Sequence, residues 1–262
     1  LATGDQWNQM EITGPTDINV LGLTADSRMV EPGFLFAALQ GALTDGRKFI
    51  PDAVARGAIA ILAPSGTHLD RFLGDNASIS LITGNNPRLL YAELSARYFA
   101  SQPDSVAAVT GTNGKSSVAE FVRQLWTLAG VQAASLGTLG LVTPTATHSS
   151  KLTTPDPANL HMRLHQLAQD NINHLTLEAS SHGLAQHRLD GVRVSVAAFT
   201  NLSRDHLEYH GTPENYLTAK SRLFSDILSS DGKAILNGDE ACFEFLRRTV
   251  TDRHIDFLSY GW

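Results

Sequence analysis

Val106-Ala-Ala-Val109-Thr110-Gly111-Thr112-Asn113-Gly114-Lys115-Ser116-Ser117 is the stretch on which the reading of this 262-residue chain turns. Val106 to Thr110 is a short apolar run with β-branched residues, the pattern of a strand buried on both faces. After the glycine-containing segment, Val118, Phe121, Val122, Leu125 and Leu128 recur at helical spacing, and Gly130 supplies a stop signal. Strand, glycine turn and helix in that order suit a phosphate. Glycines let several N–H groups converge on one anion, and the open helix N-terminus adds unpaired donors and partial positive charge. Lys115 can place a full charge on terminal phosphates, and the Ser116 hydroxyl can ligate the Mg²⁺ that accompanies a nucleotide. The generic pattern G-x-x-x-x-G-K-[ST] has glycine where this chain has Val109, so Gly111 and Gly114 must make the turn.

Composition narrows the classes. The formal charge of −6 argues against a general nucleic-acid binder, which carries a basic excess. With Cys242 as the only cysteine, no intrachain disulfide and no Cys/His zinc pattern exist, which suits a reducing cytoplasm. No apolar run approaches membrane-spanning length and no basic-then-apolar leader is present, so no membrane insertion is expected. The chain opens on Leu1 rather than Met, which predicts a trimmed start.

Outward from the loop, the chain reads as α/β in two parts. Residues 1–84 form a small N-terminal α/β domain, with strands expected at Val20–Thr24, Phe34–Ala38, Ala58–Leu62 and Ser80–Thr83, and a helix at Ile50–Arg56. Residues 85–262 form a mostly parallel-sheet P-loop ATPase domain that begins with a helix over Leu89–Phe99. Strands are expected at Val131–Leu136, Leu175–Ala179, Val194–Thr200 and Ala234–Leu236, and helices at Pro157–Gln169 and Pro213–Leu228. In the first domain, Asp26-Ser27-Arg28 and the polar turn Gly41 to Gly46 read on physics alone as turns with their own Asx hydrogen bonds. Recognition of an anionic ligand is the alternative.

Ligands of a parallel sheet sit at the carboxyl ends of its strands, and two strands end on polar groups. Leu175-Thr-Leu-Glu178 closes on a carboxylate, which needs a cation or strong donors; Mg²⁺ and a nearby arginine are both candidates. The apolar strand at Ala198-Phe199 runs into Asn201 and His206. Asn201 can hydrogen-bond a base or ribose, and His206 can ligate metal. His206 and His210 lack the glutamate of a helical zinc pair. Lys220, on a helix, reads by itself as a solvated charge.

Thr110-Gly-Thr-Asn-Gly-Lys-Ser116 resembles the nucleotide loop of the Mur ligases and of their folylpolyglutamate synthetase relatives. Four further stretches resemble the UDP-N-acetylmuramoyl-tripeptide synthetases, the MurE type, in order and spacing. They are Leu152-Thr153-Thr154-Pro155-Asp156, Glu178-Ala-Ser180 through Gln186-His187-Arg188, Phe199-Thr-Asn201 through His206 and His210-Gly211, and Ala219-Lys220. Leu23 to Arg28, Pro32 to Ala37 and Asp45-Gly46-Arg47 resemble the first domain of that type.

The resemblance implies an ATP-dependent amide ligase of peptidoglycan precursor synthesis. It would add a free amino acid, diaminopimelate or lysine, to UDP-N-acetylmuramoyl-alanyl-glutamate through an acyl phosphate. It implies ATP on Gly111, Thr112, Asn113, Gly114, Lys115, Ser116, Ser117 and Asn201. Mg²⁺ would be held by Ser116, Glu178, His206 and a carbamoylated Lys220. Substrate contacts would come from Ser27, Thr153, Thr154, Ser180, Gln186 and Arg188, with Lys115, Lys220, Glu178 and His206 catalytic. Ser116-Ser117 replaces the family's usual Thr-Thr and keeps both hydroxyls. Family members continue through a third, amino-acid-binding domain absent here, so this chain alone is expected to be inactive. A folylpolyglutamate synthetase-like ligase and a non-catalytic nucleotide-binding module are the alternatives.

Overall fold

The computed structural model describes residues 10–41, 44–73 and 78–262, in two compact units, Leu1–Tyr98 and Phe99–Trp262. Residues 1–9 of the expected first domain and positions 42–43 of its polar turn lie outside the described residues. The units divide between Tyr98 and Phe99, at the last residue of the helix Pro87–Phe99; the sequence reading sets its domain boundary near residue 84, ahead of that helix.

In the first unit the described strands are β1 (Glu11–Thr13), β2 (Gly22–Thr24), β3 (Phe34–Ala37), β4 (Ala60–Pro64) and β5 (Ser80–Gly84), ordered β1-β5-β4-β3-β2. All neighbours are parallel except β1 against β5. Phe36, Ile50 and Ile61 are fully buried between sheet and helix, each stabilising by about 1.5–3 kcal/mol. Pro51 sits in the first turn of the helix Ile50–Ala55, where a missing N–H costs nothing.

The second unit holds β6 (Ser105–Thr110), β7 (Ala133–Gly137), β8 (Gly140–Val142), β9 (Thr147–His148), β10 (His174–Glu178), β11 (Val194–Phe199), β12 (Leu228–Asn237) and β13 (Asp256–Tyr260). Their order is β13-β12-β11-β6-β10-β7-β8-β9, parallel from β13 to β7 and antiparallel beyond. The chain leaves β6 in one direction for β7 and reaches β11 on the other side, so the loop after β6 opens at a switch point between β10 and β11. The helix Pro157–Gln169 buries Leu160, Leu164 and Leu167 at i, i+4, i+7, and Asp156 caps it through Asn159 N–H.

Two expectations change. The helix after the loop runs Lys115–Leu128 as expected, but of its residues only Ala119 is fully buried, and Phe121, Leu125 and Leu128 are 62%, 63% and 84% exposed. The side facing the sheet is the small one: Thr176 Oγ1 on β10 donates to the Ala119 carbonyl at 2.9 Å, a close approach that a bulky residue at 119 would block. The helix expected over Pro213–Leu228 stays α-helical only to Arg222, widens over Leu223–Ile227, and gives way to β12 at Leu228. Among the described residues no helix is long and apolar enough to cross a membrane.

Candidate active site

Four strand ends of the second unit meet at one cavity of about 320 Å³, lined by Thr112 to Ser117, Thr138, Thr153, Glu178, Ser180, Ser181, His206, Tyr216 and Lys220. The loop after β6 is shaped by its glycines. Gly111 has φ +142, and a Cβ there would lie 1.9 Å from Thr200 Oγ1. Gly114 has φ +86 and caps the helix Lys115–Leu128 with no side chain, leaving the first-turn N–H groups open to an anion.

The loop is held from β11. Asn201 accepts from Asn113 N–H at 3.0 Å and donates to the Asn113 carbonyl at 3.1 Å, and Thr200 Oγ1 donates to the same carbonyl at 2.6 Å. The Asn201 carboxamide, expected on a base or ribose, is therefore engaged at both ends by the loop itself. Lys115 Nζ folds back on the carbonyls of Gly111 and Thr112, at 3.0 and 2.8 Å, and burial lowers its pKa.

Glu178, at the end of β10, is 2% exposed and is met by donors. Thr138 N–H reaches Oε1 at 2.8 Å, and Ser116 Oγ and Thr138 Oγ1 reach Oε2 at 2.9 and 3.3 Å. Among the described residues no arginine ion-pairs with it, so donors fill the role the sequence reading left open to an arginine. The Ser116 proton points at Glu178, which leaves the Ser116 lone pairs for a cation. One hydroxyl and one carboxylate oxygen 2.9 Å apart form the hard oxygen donor set that Mg²⁺ takes alongside phosphates. His206 lines the same cavity in a left-handed conformation (φ +51) and packs edge-on against His182 at 4.8 Å. Among the described residues no group of three or more His, Cys, Asp or Glu is placed to hold a metal ion by itself.

Lys220, read on physics alone as solvated, is 1% exposed. Its ammonium donates to the Gly111 carbonyl at 2.7 Å and lies 4.4 Å from the centroid of the Tyr216 ring. Burial, then the nearby Lys115 charge, lowers its pKa to about 7.

The expected substrate residues divide. Thr153 and Ser180 line the cavity. Thr154 is fully buried: its hydroxyl donates to the Glu178 carbonyl at 2.8 Å and lies 3.0 Å from Ser180 Oγ, so it fixes the strand end rather than facing the cavity. Gln186 and Arg188 stand outside the cavity lining. Arg188 donates to the Thr154 carbonyl and to Gln186 Oε1, and Gln186 donates to Tyr209 OH. Ser27 belongs to the first unit, buried at the start of a short turn, and its hydroxyl with Arg56 lowers the Asp52 pKa. There the Asp26–Arg28 and Asp45–Arg47 pairs close on themselves as the Asx-turn reading expected.

Sequence reasoning missed Gly137, Thr138 and Tyr216. Thr138 follows β7, so the strand-end rule that singled out Glu178 would have found it. Tyr216 OH lies 3.3 Å from Thr112 Oγ1, a long-range contact without a local signal.

Residues 109–262 match the family model described as Mur ligase middle domain, and residues 19–109 match that described as Mur ligase family, catalytic domain. The UDP-N-acetylmuramoyl-L-alanyl-D-glutamate--2,6-diaminopimelate ligase of Bradyrhizobium diazoefficiens is 50% identical over 225 residues, covering 86% of this chain and 45% of that protein. The ligase of the same description from Zymomonas mobilis is 45% identical over 245 residues, covering 94% and 49%. A solved structure of a ligase so described superposes with TM-score 0.79 at 33% identity, covering 92% of this chain and 48% of that one. A MurF ligase from Thermotoga maritima in complex with ADP shares the fold, with TM-score 0.57 at 20% identity, covering 92% and 50%. The chain spans about half the length of the curated relatives it matches.

Proposed function

Because this chain belongs to the Mur ligase family, we propose that it carries the nucleotide site of an ATP-dependent amide ligase of peptidoglycan precursor synthesis. The substrates are UDP-N-acetylmuramoyl-L-alanyl-D-glutamate and 2,6-diaminopimelate, the pair in the descriptions of its relatives. The observation that carries this reading is the convergence of the glycine loop, Lys115, Ser116, Glu178 and Lys220 on one cavity that Thr153 and Ser180 also line.

In this reading the glutamate side-chain carboxylate takes the terminal phosphoryl group of ATP, and ADP leaves. The amine of the diamino acid then attacks the acyl carbon, phosphate departs, and the amine gives up a proton. Lys115 and the loop amides neutralise charge on the transferring group, an electrostatic and positional contribution. Ser116 and Glu178 would hold Mg²⁺, with His206 and, once carbamoylated, Lys220 as further ligands. The ion supplies charge neutralisation on the phosphate oxygens when bound. Thr153 and Ser180 contact the muramoyl-dipeptide, with Gln186 and Arg188 flanking them, and Ser27 serves the uridine diphosphate end.

The test is an amino-acid panel on the full-length protein with mass detection of product. ATP-dependent addition of diaminopimelate, abolished in Lys115→Ala, is the expected result. Addition of glutamate to a folate, or unchanged turnover in Lys115→Ala, would sink the reading.

A further inference from the structure

We propose that Thr138 is a positioning residue that couples the substrate side of the site to its metal side, and that the ligand group met by Thr153 is a hydrogen-bond donor. The inference rests on the ligase reading above.

Thr138 is the first residue of the two-residue turn between β7 and β8, where Gly137 pairs with Gly140. Among the described residues it alone hydrogen-bonds both oxygens of the Glu178 carboxylate, through its N–H on Oε1 at 2.8 Å and its hydroxyl on Oε2 at 3.3 Å. Two donors from one residue fix the plane of that carboxylate. The carboxylate reaches them only because Gly137 has no side chain: a Cβ there would stand 2.0 Å from Oε1.

A hydroxyl has one proton and two lone pairs. Thr138 gives its proton to Glu178, so in its 3.1 Å contact with Thr153 Oγ1 it accepts. The Thr153 proton is then committed to Thr138. What Thr153 presents to a ligand is lone pairs, which suit a donor such as an amide N–H or a sugar hydroxyl. A donor arriving at Thr153 polarises Thr153 toward Thr138 and strengthens the bond by which Thr138 holds the Glu178 carboxylate in place. The Ser116 hydroxyl meets the same oxygen, Oε2, and completes the cation-binding pair. Substrate on Thr153 therefore fixes Glu178 in the place where, beside Ser116, it meets a cation. By linkage, the cation strengthens substrate binding equally.

The test uses the full-length protein and measures the Mg²⁺ dependence of binding of a non-hydrolysable ATP analogue by calorimetry, with and without UDP-muramoyl-dipeptide. Thr138→Val removes the hydroxyl but keeps the N–H and the branched shape; Thr138→Ser restores the hydroxyl. Thr138 is exposed, so both variants should melt as the parent does. In the parent, the dipeptide should tighten Mg²⁺ binding about tenfold. Thr138→Val should abolish that gain while leaving metal-free nucleotide affinity unchanged, and Thr138→Ser should keep it. Full coupling in Thr138→Val, equal loss in both variants, or no coupling in a parent that binds both ligands would overturn the proposal. A parent that binds neither ligand would overturn the ligase reading itself.

Discussion

Lys220 Nζ donates to the Gly111 carbonyl oxygen at 2.7 Å, from a position only 1% exposed. Lys115 donates to the same oxygen at 3.0 Å, so two amines share one acceptor. Burial and the Lys115 charge together lower the Lys220 pKa to about 7. A neutral amine is the form that attacks CO₂, losing one proton to give a carbamate. That product keeps one N–H, which can still donate to the Gly111 carbonyl, while its two anionic oxygens need donors or a cation.

Carbamate formation on Lys220 should therefore follow the deprotonated amine. With ¹³C-bicarbonate, a carbamate signal should be weak at pH 6, strong at pH 8, and missing in Lys220→Met. A signal that persists in Lys220→Met would place the modification elsewhere.

The same lysine sets a stability slope. An amine whose folded pKa lies below its unfolded value of 10.5 binds fewer protons folded than unfolded. In CO₂-free buffer stability should thus rise from pH about 7 toward 10.5, and its contribution should be lost as pH falls through 7. Lys220→Met should flatten that slope and raise the melting temperature at pH 7 by roughly 5 °C. Parallel pH profiles for parent and variant would show that Lys220 keeps its ordinary pKa.

Gly137→Ala should displace Glu178, since the new Cβ would fall 2.0 Å from Oε1. Overpacking of this kind costs about 1–3 kcal/mol. Mg²⁺-dependent nucleotide binding should fall further than metal-free binding. Equal losses in both would indicate general damage rather than a moved carboxylate.

Asn201→Ala removes both hydrogen bonds to Asn113. At about 1 kcal/mol each, their loss should loosen the loop and weaken ATP-analogue binding roughly tenfold. Wild-type affinity in Asn201→Ala would mean that Thr200 and the Thr112 bonds to residues 201 and 203 hold the loop without that carboxamide.

Local signals were read well. The loop, the helix Pro157–Gln169 and Glu178 follow from spacing, capping and strand ends, all properties of short windows. Long-range packing was not. The stripe Phe121, Leu125, Leu128 signalled a helix but not which side meets the sheet; the small Ala119 does. Lys220 looked like any helix lysine, and only the fold, or the family resemblance, puts it under Gly111. Thr154 and Asn201 carry polar groups suited to a ligand, yet the structure spends them on Glu178 and Asn113. The sequence alone does not say whether a hydroxyl or carboxamide serves a ligand or the backbone beside it.

The most direct test is a crystal structure with a non-hydrolysable ATP analogue and Mg²⁺. The phosphates should rest on the amides of residues 111–117, the metal beside Ser116 and Glu178, and Lys115 Nζ should have left the carbonyls of Gly111 and Thr112 for a phosphate oxygen. Phosphates bound anywhere else, with Lys115 still folded onto its own loop, would contradict the account.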